Sequence, residues 1–162
     1  ANPDGSVNKE WASVVKTELS GMREQLISYQ ERLSAQLLDS GVNAWCRMNY
    51  EYDGIPVYFV MKHRDSTRLK ELFDFNANAV KAFDTTDFYI HQNGNNVAWI
   101  PNCVQKGLAV EWLLKKLREE RGAFPVLGLG DSLSDPPFMK HCHWFGMPSR
   151  SQFADAVSQK LF

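Results

Sequence analysis

The chain has 162 residues, of which 44% are hydrophobic and 23% are charged, enough for one ordinary globular core or two small ones. Its formal net charge of -1 argues against a nucleic-acid-binding protein that relies on neutralising phosphates, and no stretch approaches the roughly 18 apolar residues of a membrane span. Its three cysteines, Cys46, Cys103 and Cys142, are odd in number and widely spaced, which favours reduced thiols and a cytoplasmic protein over a disulfide framework.

The first part of the chain predicts a long helix followed by a β-hairpin. Apolar residues recur every three or four positions over residues 9–39, which is typical of one amphipathic helix or of two that are separated at Gly21. The period then changes to two, which predicts strands over 44–52 and 55–63. Asp53-Gly54 between them fits a type I′ turn, and Pro56 indicates an edge strand or a strand start.

The same order is repeated in the middle of the chain. A second helix is predicted from Asp65 or Ser66 to about Phe83. A second hairpin follows, with the strands "DFYIHQ" and "NNVAWI" joined by a turn of the same type at Asn93-Gly94. The order helix, hairpin, helix, hairpin predicts a four-stranded antiparallel sheet with both helices on one face.

After Pro101 the pattern changes to helices that alternate with short strands. "KGLAVEWLLKKLREERG" predicts a helix that begins near Lys106 and closes at Gly122. "FPVLGL" is a short apolar run of the kind that is buried on both faces of a parallel sheet. A short helix with Pro136 at its first position, a strand at "HWFGMP" and a closing helix at "SQFADAVSQKLF" complete a doubly wound α/β pattern.

Two acidic residues stand close together in the stretch "VLGLGDSLSDPPFM", residues 126–139. Ligands of open α/β sheets bind beyond the carboxyl ends of the strands, which is where the apolar run puts Asp131. The pattern Gly130-Asp131-x-x-x-Asp135 spaces two carboxylates about one helical turn apart, so that both can face one hard cation. An ordinary turn capped by Asp131 is the alternative for so short a motif.

The letters "GDSLSD" also resemble the first block of the GDSL family of serine esterases. That resemblance implies a catalytic nucleophile at Ser132. In the family the block lies near the N-terminus, and a catalytic Asp and His lie near the C-terminus. Here the last histidine is His143 and no D-x-x-H motif follows it, so the resemblance is confined to this block.

A resemblance that covers more of the chain is to the haloacid dehalogenase (HAD) superfamily. "QKGLAVEWLLKKL" followed by "VLGLGDSLSDPPFM" resembles its third and fourth motifs, a Lys that opens a helix and a G-D-x-x-x-D loop after the next strand. The helix, hairpin, helix, hairpin insert is similar to the type C2 cap of its sugar-phosphate phosphatases, of the sucrose-phosphatase and mannosyl-3-phosphoglycerate-phosphatase kind. The resemblance implies a partial Rossmann-like HAD core over 1–8 and 102–162, with an inserted α+β cap over 9–101.

The HAD resemblance further implies a Mg²⁺-dependent phosphomonoester hydrolase. Lys106 would hold the transferring phosphate, and Asp131 would bind Mg²⁺, directly or with Asp135 helping through water. Gly107 beside Lys106 suits this role, because the open N–H groups at a helix N-terminus favour anions. Fixed positive charge and a bridging metal are what phosphoryl transfer requires.

One motif of the superfamily is missing from this sequence. The HAD nucleophile lies in a D-x-D motif, and the chain contains none. "NPDGSVNKEW" at its start resembles the passage from core into cap that comes after that motif. The expectation is therefore a piece of a longer enzyme, inactive by itself, and a non-catalytic binding module is the alternative.

The substrate is expected to be a phosphorylated sugar or a similar small metabolite. Arg47, Arg64 and His91 lie on or just beyond the predicted cap strands and are candidate substrate contacts. Each is equally compatible with the wet face of an antiparallel sheet. The aromatic residues of the cap are candidates for stacking on a sugar, for the core, or for a homodimer formed through the cap.

Overall fold

The computed structural model describes residues 6–51 and 54–161. The chain divides into two compact units, Ala1–Val104 and Gln105–Phe162. The sequence predicted the change of pattern a few residues earlier, after Pro101. Among the described residues, no helix is both long enough and apolar enough to cross a bilayer.

The first unit begins with one uninterrupted helix, α1, over Lys9–Asp39. Asn8 caps it, because its side-chain oxygen accepts the Trp11 N–H at 2.9 Å. Its buried residues are all leucines spaced seven or four apart, which places them on one stripe of the helix: Leu19, Leu26, Leu33 and Leu37. The periodicity thus predicted the helical range and the face that is buried, and of the two alternatives the structure has one helix, which Gly21 does not interrupt.

Four strands form the sheet of the first unit: β1 (Ala44–Tyr50), β2 (Pro56–His63), β3 (Phe88–Asn93) and β4 (Asn96–Pro101). Their order is β1-β2-β4-β3 and every neighbouring pair is antiparallel. Pro56 was predicted to mark either an edge strand or the start of a strand. It is the first residue of β2, and β2 is an inner strand, so the second alternative is correct. Of the turn predicted at Asp53-Gly54, Asp53 lies outside the described residues, and Gly54 has the positive φ of 79° that such a turn needs.

The second predicted turn is corrected by the structure. Asn93 pairs with Asn96, so the turn residues are Gly94 and Asn95, one position later than predicted. Neither has a positive φ, which rules out a type I′ turn here. Instead the Asn93 side-chain oxygen accepts the Asn95 N–H at 3.1 Å. An asparagine that bonds the backbone two residues later supports a turn without left-handed φ angles.

The second helix, α2, spans Leu69–Ala79. Short 3₁₀ turns extend it on both sides, over Ser66–Arg68 and Val80–Ala82, so residues 66–82 of the predicted range are helical but do not form a single α-helix. Asp65 caps the first of these turns, since its side chain accepts the Thr67 N–H at 2.9 Å.

Both helices share one core with the same face of the sheet. The leucine stripe of α1 and Leu72 of α2 belong to one buried cluster with Phe59 and Trp99 of the inner strands. Trp99 is fully buried, and its indole N–H donates to Asn76 of α2 at 2.9 Å, which satisfies its polar group inside the core. The predicted α+β arrangement, a four-stranded antiparallel sheet with two helices on one face, is therefore confirmed.

The second unit alternates helices and short strands, as predicted. Its elements are α3 (Lys106–Arg121), β5 (Leu127–Leu129), α4 (Pro136–Met139), β6 (Trp144–Gly146) and α5 (Gln152–Leu161). The strands β5 and β6 are parallel neighbours.

The prediction that the run around β5 is buried on both faces is wrong for the described chain. Leu127 and Leu129 are 65% and 72% exposed. A parallel strand is buried on both faces only when other elements cover both. Here Phe138 of α4 and Cys142 lie against Gly128 on one face, whereas the leucines point to the other.

Candidate functional site

The candidate site lies in the second unit, where the start of α3 meets the loop between β5 and α4. Lys106 is the first residue of α3, and its Nζ lies 2.6 Å from Oδ1 of Asp135 and 3.4 Å from the hydroxyl oxygen of Ser134. The two motifs singled out in the sequence, the helix-opening lysine and the G-D-x-x-x-D loop, are thus brought into direct contact.

Asp135 is the buried centre of this arrangement. Its side chain is 4% exposed, and its second oxygen, Oδ2, accepts the N–H groups of Asp131 at 2.8 Å and Ser132 at 2.9 Å. Burial by itself raises the pKa of Asp135, but the hydrogen bond from Lys106 and those from the two N–H groups outweigh it and hold the pKa below its ordinary value. Asp135 is therefore a carboxylate that fixes both the lysine and the loop.

Two glycines make the close approach of these segments feasible. A Cβ atom on Gly130 would lie 2.7 Å from the Cβ and 2.8 Å from Oδ2 of Asp135. A Cβ atom on Gly107 would lie 2.9 Å from the carbonyl oxygen of Pro137 in α4. Both distances are shorter than nonbonded carbon contacts permit, so a side chain at either position would push the two segments apart.

The first two residues of α5 hold the loop from its other side. The side-chain oxygen of Gln152 accepts the Leu133 N–H at 3.3 Å and the Ser132 hydroxyl at 3.4 Å. The N–H of Phe153 donates to the carbonyl oxygen of Asp131 at 3.1 Å. The backbone on both sides of Asp131 is thereby fixed.

Asp131 itself is exposed, and within the described chain its carboxylate has no hydrogen-bonding or ion-pair partner. A carboxylate oxygen is a ligand that Mg²⁺ prefers, and Mg²⁺ usually keeps several waters and takes only one or two protein carboxylates. Asp131 fits that requirement. Both oxygens of Asp135 already accept hydrogen bonds, and the ammonium group of Lys106 lies against Oδ1, so a metal that binds Asp135 directly would have to compete with that positive charge. Residues 6–51 and 54–161 contain no group of three or more His, Cys, Asp or Glu side chains that would hold a metal by themselves.

Comparison with known proteins identified no family model that matches the chain and no matching curated protein. Among solved structures, the chain is similar to the crystal structure of a haloacid dehalogenase-like hydrolase from Bacteroides thetaiotaomicron, with 14% sequence identity and a TM-score of 0.36. The match covers 65% of this chain and 42% of that one, less than half its length. A likeness this weak does not establish a family for the chain.

The surroundings of Ser132 differ from those of an esterase nucleophile, which needs a histidine within hydrogen-bonding reach. The Ser132 hydroxyl contacts Gln152 at 3.4 Å and the Ser134 hydroxyl at 3.0 Å. His143, which follows this loop in the sequence, is engaged elsewhere: its Nδ1 accepts the Val126 N–H at 3.0 Å. These contacts give Ser132 and its neighbour Ser134 a role in shaping the loop.

The candidate substrate contacts lie in the first unit. Arg47 on β1 is exposed, His91 on β3 is half-buried, and Arg64 follows β2 and is exposed. His63, beside Arg64 at the end of β2, is buried, and so are Phe59 on β2 and Trp99 on β4. The structure therefore shows which of the residues on these strands are in the core and which are at the surface, a distinction that the sequence pattern did not make.

Gln152 is the loop contact that the sequence did not reveal. It lies 20 residues after Ser132, at the start of a different helix, and no motif marks it. Only the return of the chain through β6, which runs parallel to β5, brings it to the loop.

Proposed function

We propose that the chain is part of a Mg²⁺-dependent phosphomonoester hydrolase of the HAD type, which acts on a phosphorylated sugar or a similar small metabolite. The single observation that carries the proposal is the ion pair of Lys106 with Asp135 beside the carboxylate of Asp131, which has no partner among the described residues. It brings a fixed cation at the start of α3 to the loop that carries an available hard ligand, which is the pairing that phosphoryl transfer uses.

In this proposal Lys106 binds the phosphoryl group. Its side chain is 58% exposed although Asp135 holds its ammonium group, so it is oriented and still accessible to a ligand. An ammonium group held in advance stabilises the charge of the phosphoryl oxygens without having to reorient during the reaction. Asp135 is then the residue that positions Lys106.

Asp131 would be the protein ligand of Mg²⁺. When bound, Mg²⁺ neutralises phosphate charge and orients the phosphoryl group. The contacts from Asp135, Gln152 and Phe153 to the backbone of residues 131–133 support this role, because they fix the point from which the Asp131 carboxylate projects. Arg47, Arg64 and His91 remain proposed contacts of the rest of the substrate.

The proposal does not assign a nucleophile to this chain. The sequence has no D-x-D motif, and the described contacts of Ser132 do not include an activating base. We therefore propose that the nucleophile comes from residues outside this sequence.

A binding experiment with Mn²⁺ tests the proposal without requiring turnover. Mn²⁺ prefers the same oxygen ligands as Mg²⁺ and broadens the NMR signals of nearby amides. We expect broadening centred on residues 130–135, competed by excess Mg²⁺ and lost in Asp131→Asn. Asp155→Asn, which removes another exposed carboxylate of the same unit, is the matched control and should keep it. Broadening that survives Asp131→Asn, or that is absent from the loop, would contradict the proposal.

A further inference from the structure

One polar side chain of β2 lies on the face of the strand that is buried in the core. Val57, Phe59 and Met61 alternate along that face, and His63 is the next residue of the series, at the end of the strand. The side chain of His63 is fully buried. Both nitrogens of its imidazole ring must therefore find their partners inside the protein.

Nδ1 of His63 is held by the backbone of the turn that follows β2. It lies 2.6 Å from the carbonyl oxygen of Asp65 and 3.0 Å from the Asp65 backbone nitrogen. These two contacts compete for Nδ1, and the shorter one decides, because an oxygen and a nitrogen lone pair 2.6 Å apart repel unless a proton lies between them. Nδ1–H therefore donates to Asp65, which leaves the lone pair of the ring on Nε2.

Nε2 of His63 is buried and has no hydrogen-bonding partner among residues 6–51 and 54–161. The group that it faces is Oε2 of Glu71, in the first turn of α2, at 3.7 Å. That distance is too long for a hydrogen bond. A buried lone pair without a donor costs free energy, and a bound ion between the two atoms would recover that cost.

The distance between Nε2 and Oε2 suits two ligands of one metal ion. Bonds from Zn²⁺ to imidazole nitrogen and to carboxylate oxygen are each about 2.1 Å long, so two ligands of a tetrahedral ion are about 3.4 Å apart. A small movement of the Glu71 side chain, which is 39% exposed, changes 3.7 Å to that value. A histidine that binds a metal usually donates its other ring N–H to a carbonyl or carboxylate, as His63 does to Asp65.

The surroundings of Glu71 orient its carboxylate and leave room for water. Arg68 contacts only the other oxygen, Oε1, at 2.6 Å, and this contact turns Oε2 toward His63. The Arg68 side chain is largely exposed, so solvent screens its charge. Glu71 also lines a cavity of about 460 Å³ between α1 and α2, which gives a metal ion a route to the carboxylate and supplies water ligands.

From these contacts we propose that His63 and Glu71 bind a divalent transition-metal ion of the Zn²⁺ class, with water completing its coordination. Imidazole nitrogen selects for such ions over Mg²⁺, which prefers oxygen ligands. The ion would join the end of β2 to the start of α2 and stabilise the folded first unit. This site shares no residue with the loop of Asp131, so it goes beyond the proposed function and can fail or stand independently of it.

A titration with Zn²⁺ tests the inference, followed by NMR through the ring signals of the four histidines. We expect a saturable change at Nε2 of His63, because the metal takes its lone pair. Mg²⁺ should leave that signal unchanged. Because His63 is buried, the decisive variant is at its exposed partner. Glu71→Gln should weaken Zn²⁺ binding at least about tenfold, since even the loss of a group that only orients a ligand costs 10–100-fold.

Asp74→Asn is the matched control, because it removes a carboxylate of the same helix that is paired with Lys70 instead. It should bind Zn²⁺ as the wild type does. An equal loss in Asp74→Asn, an equal response at another histidine, or no saturable change at His63 would overturn the inference. So would a metal-free His63 that is protonated on both nitrogens at neutral pH, because an ion pair with Glu71 would then account for Nε2.

Discussion

Lys106 and Asp135 are 29 residues apart in the sequence, yet Nζ of the first lies 2.6 Å from Oδ1 of the second. The lysine side chain is 58% exposed and the aspartate side chain 4% exposed. The pair therefore extends from the interior of the second unit to its surface, and the buried partner determines where the exposed one points.

Removing the buried partner should destabilise the second unit. In Asp135→Ala the N–H groups of Asp131 and Ser132 lose their acceptor, which should cost about 1–3 kcal/mol. The contribution from the exposed end at Lys106 is small because solvent screens it. Hydrogen exchange of the second-unit amides measures the loss, and Asp155→Ala serves as control. Unchanged exchange of the two amides would contradict the contacts described.

The same carboxylate should make stability depend on pH. Its pKa is lowered from an ordinary value of 3.8 in the folded state, so the folded chain holds the proton more weakly than the unfolded chain. The contribution of Asp135 is therefore fully present above about pH 4 and is lost as the pH falls through the folded pKa. We expect Asp135→Asn to flatten the acid limb of a stability profile of the second unit. Identical acid limbs in the two proteins would refute the lowered pKa.

Gly130→Ala should be costly because its Cβ would collide with Asp135. The contact of 2.7 Å requires the loop to shift, and overpacking of this kind costs about 1–3 kcal/mol. Gly94→Ala provides a matched comparison, since a Cβ there meets nothing within 4 Å and φ is not positive. Chemical denaturation of both variants checks the difference, and equal stabilities would count against the packing described.

Gln152→Ala should loosen the loop without unfolding the unit. Loss of the acceptor for the Leu133 N–H removes about 1 kcal/mol of local stability, or about fivefold faster exchange of that amide. Mn²⁺ affinity should fall together with it if the loop positions Asp131. Gln152→Glu keeps an acceptor oxygen and should exchange as the wild type does; if it behaves like the alanine variant, the hydrogen bond is not the cause.

The chain alone should not hydrolyse phosphomonoesters above background. Its 162 residues contain no D-x-D motif, and the site described supplies a cation and a proposed metal ligand but no assigned nucleophile. An assay of the purified chain on p-nitrophenyl phosphate with Mg²⁺ checks this. Phosphate release that requires Mg²⁺ and disappears in Asp131→Asn would show that a nucleophile lies within these residues.

Local patterns predicted the elements of both units well, because each depends on near neighbours in the sequence. The leucine stripe of α1 and the alternation in β2 determine which faces are buried, and both are periodic. The G-D-x-x-x-D spacing likewise predicted that Asp131 and Asp135 lie close together.

What the sequence could not predict depends on contacts between distant segments. The side chain of Asp135 is buried because it accepts hydrogen bonds from Lys106 and from loop amides. Gln152 contacts the same loop only because the chain comes back beside β5 before α5 begins. The exposure of Leu127 and Leu129 was missed for the same reason, since an apolar run does not reveal whether a second layer covers it.

The bare face of the β5 and β6 pair has a practical consequence for stability measurements. Leu127, Leu129 and Trp144, the last 64% exposed, lie side by side on it. Dyes that fluoresce on apolar surface are used to detect unfolding, and this face offers them such surface while the chain is fully folded. A bright signal at low temperature would therefore report this patch rather than a loss of structure.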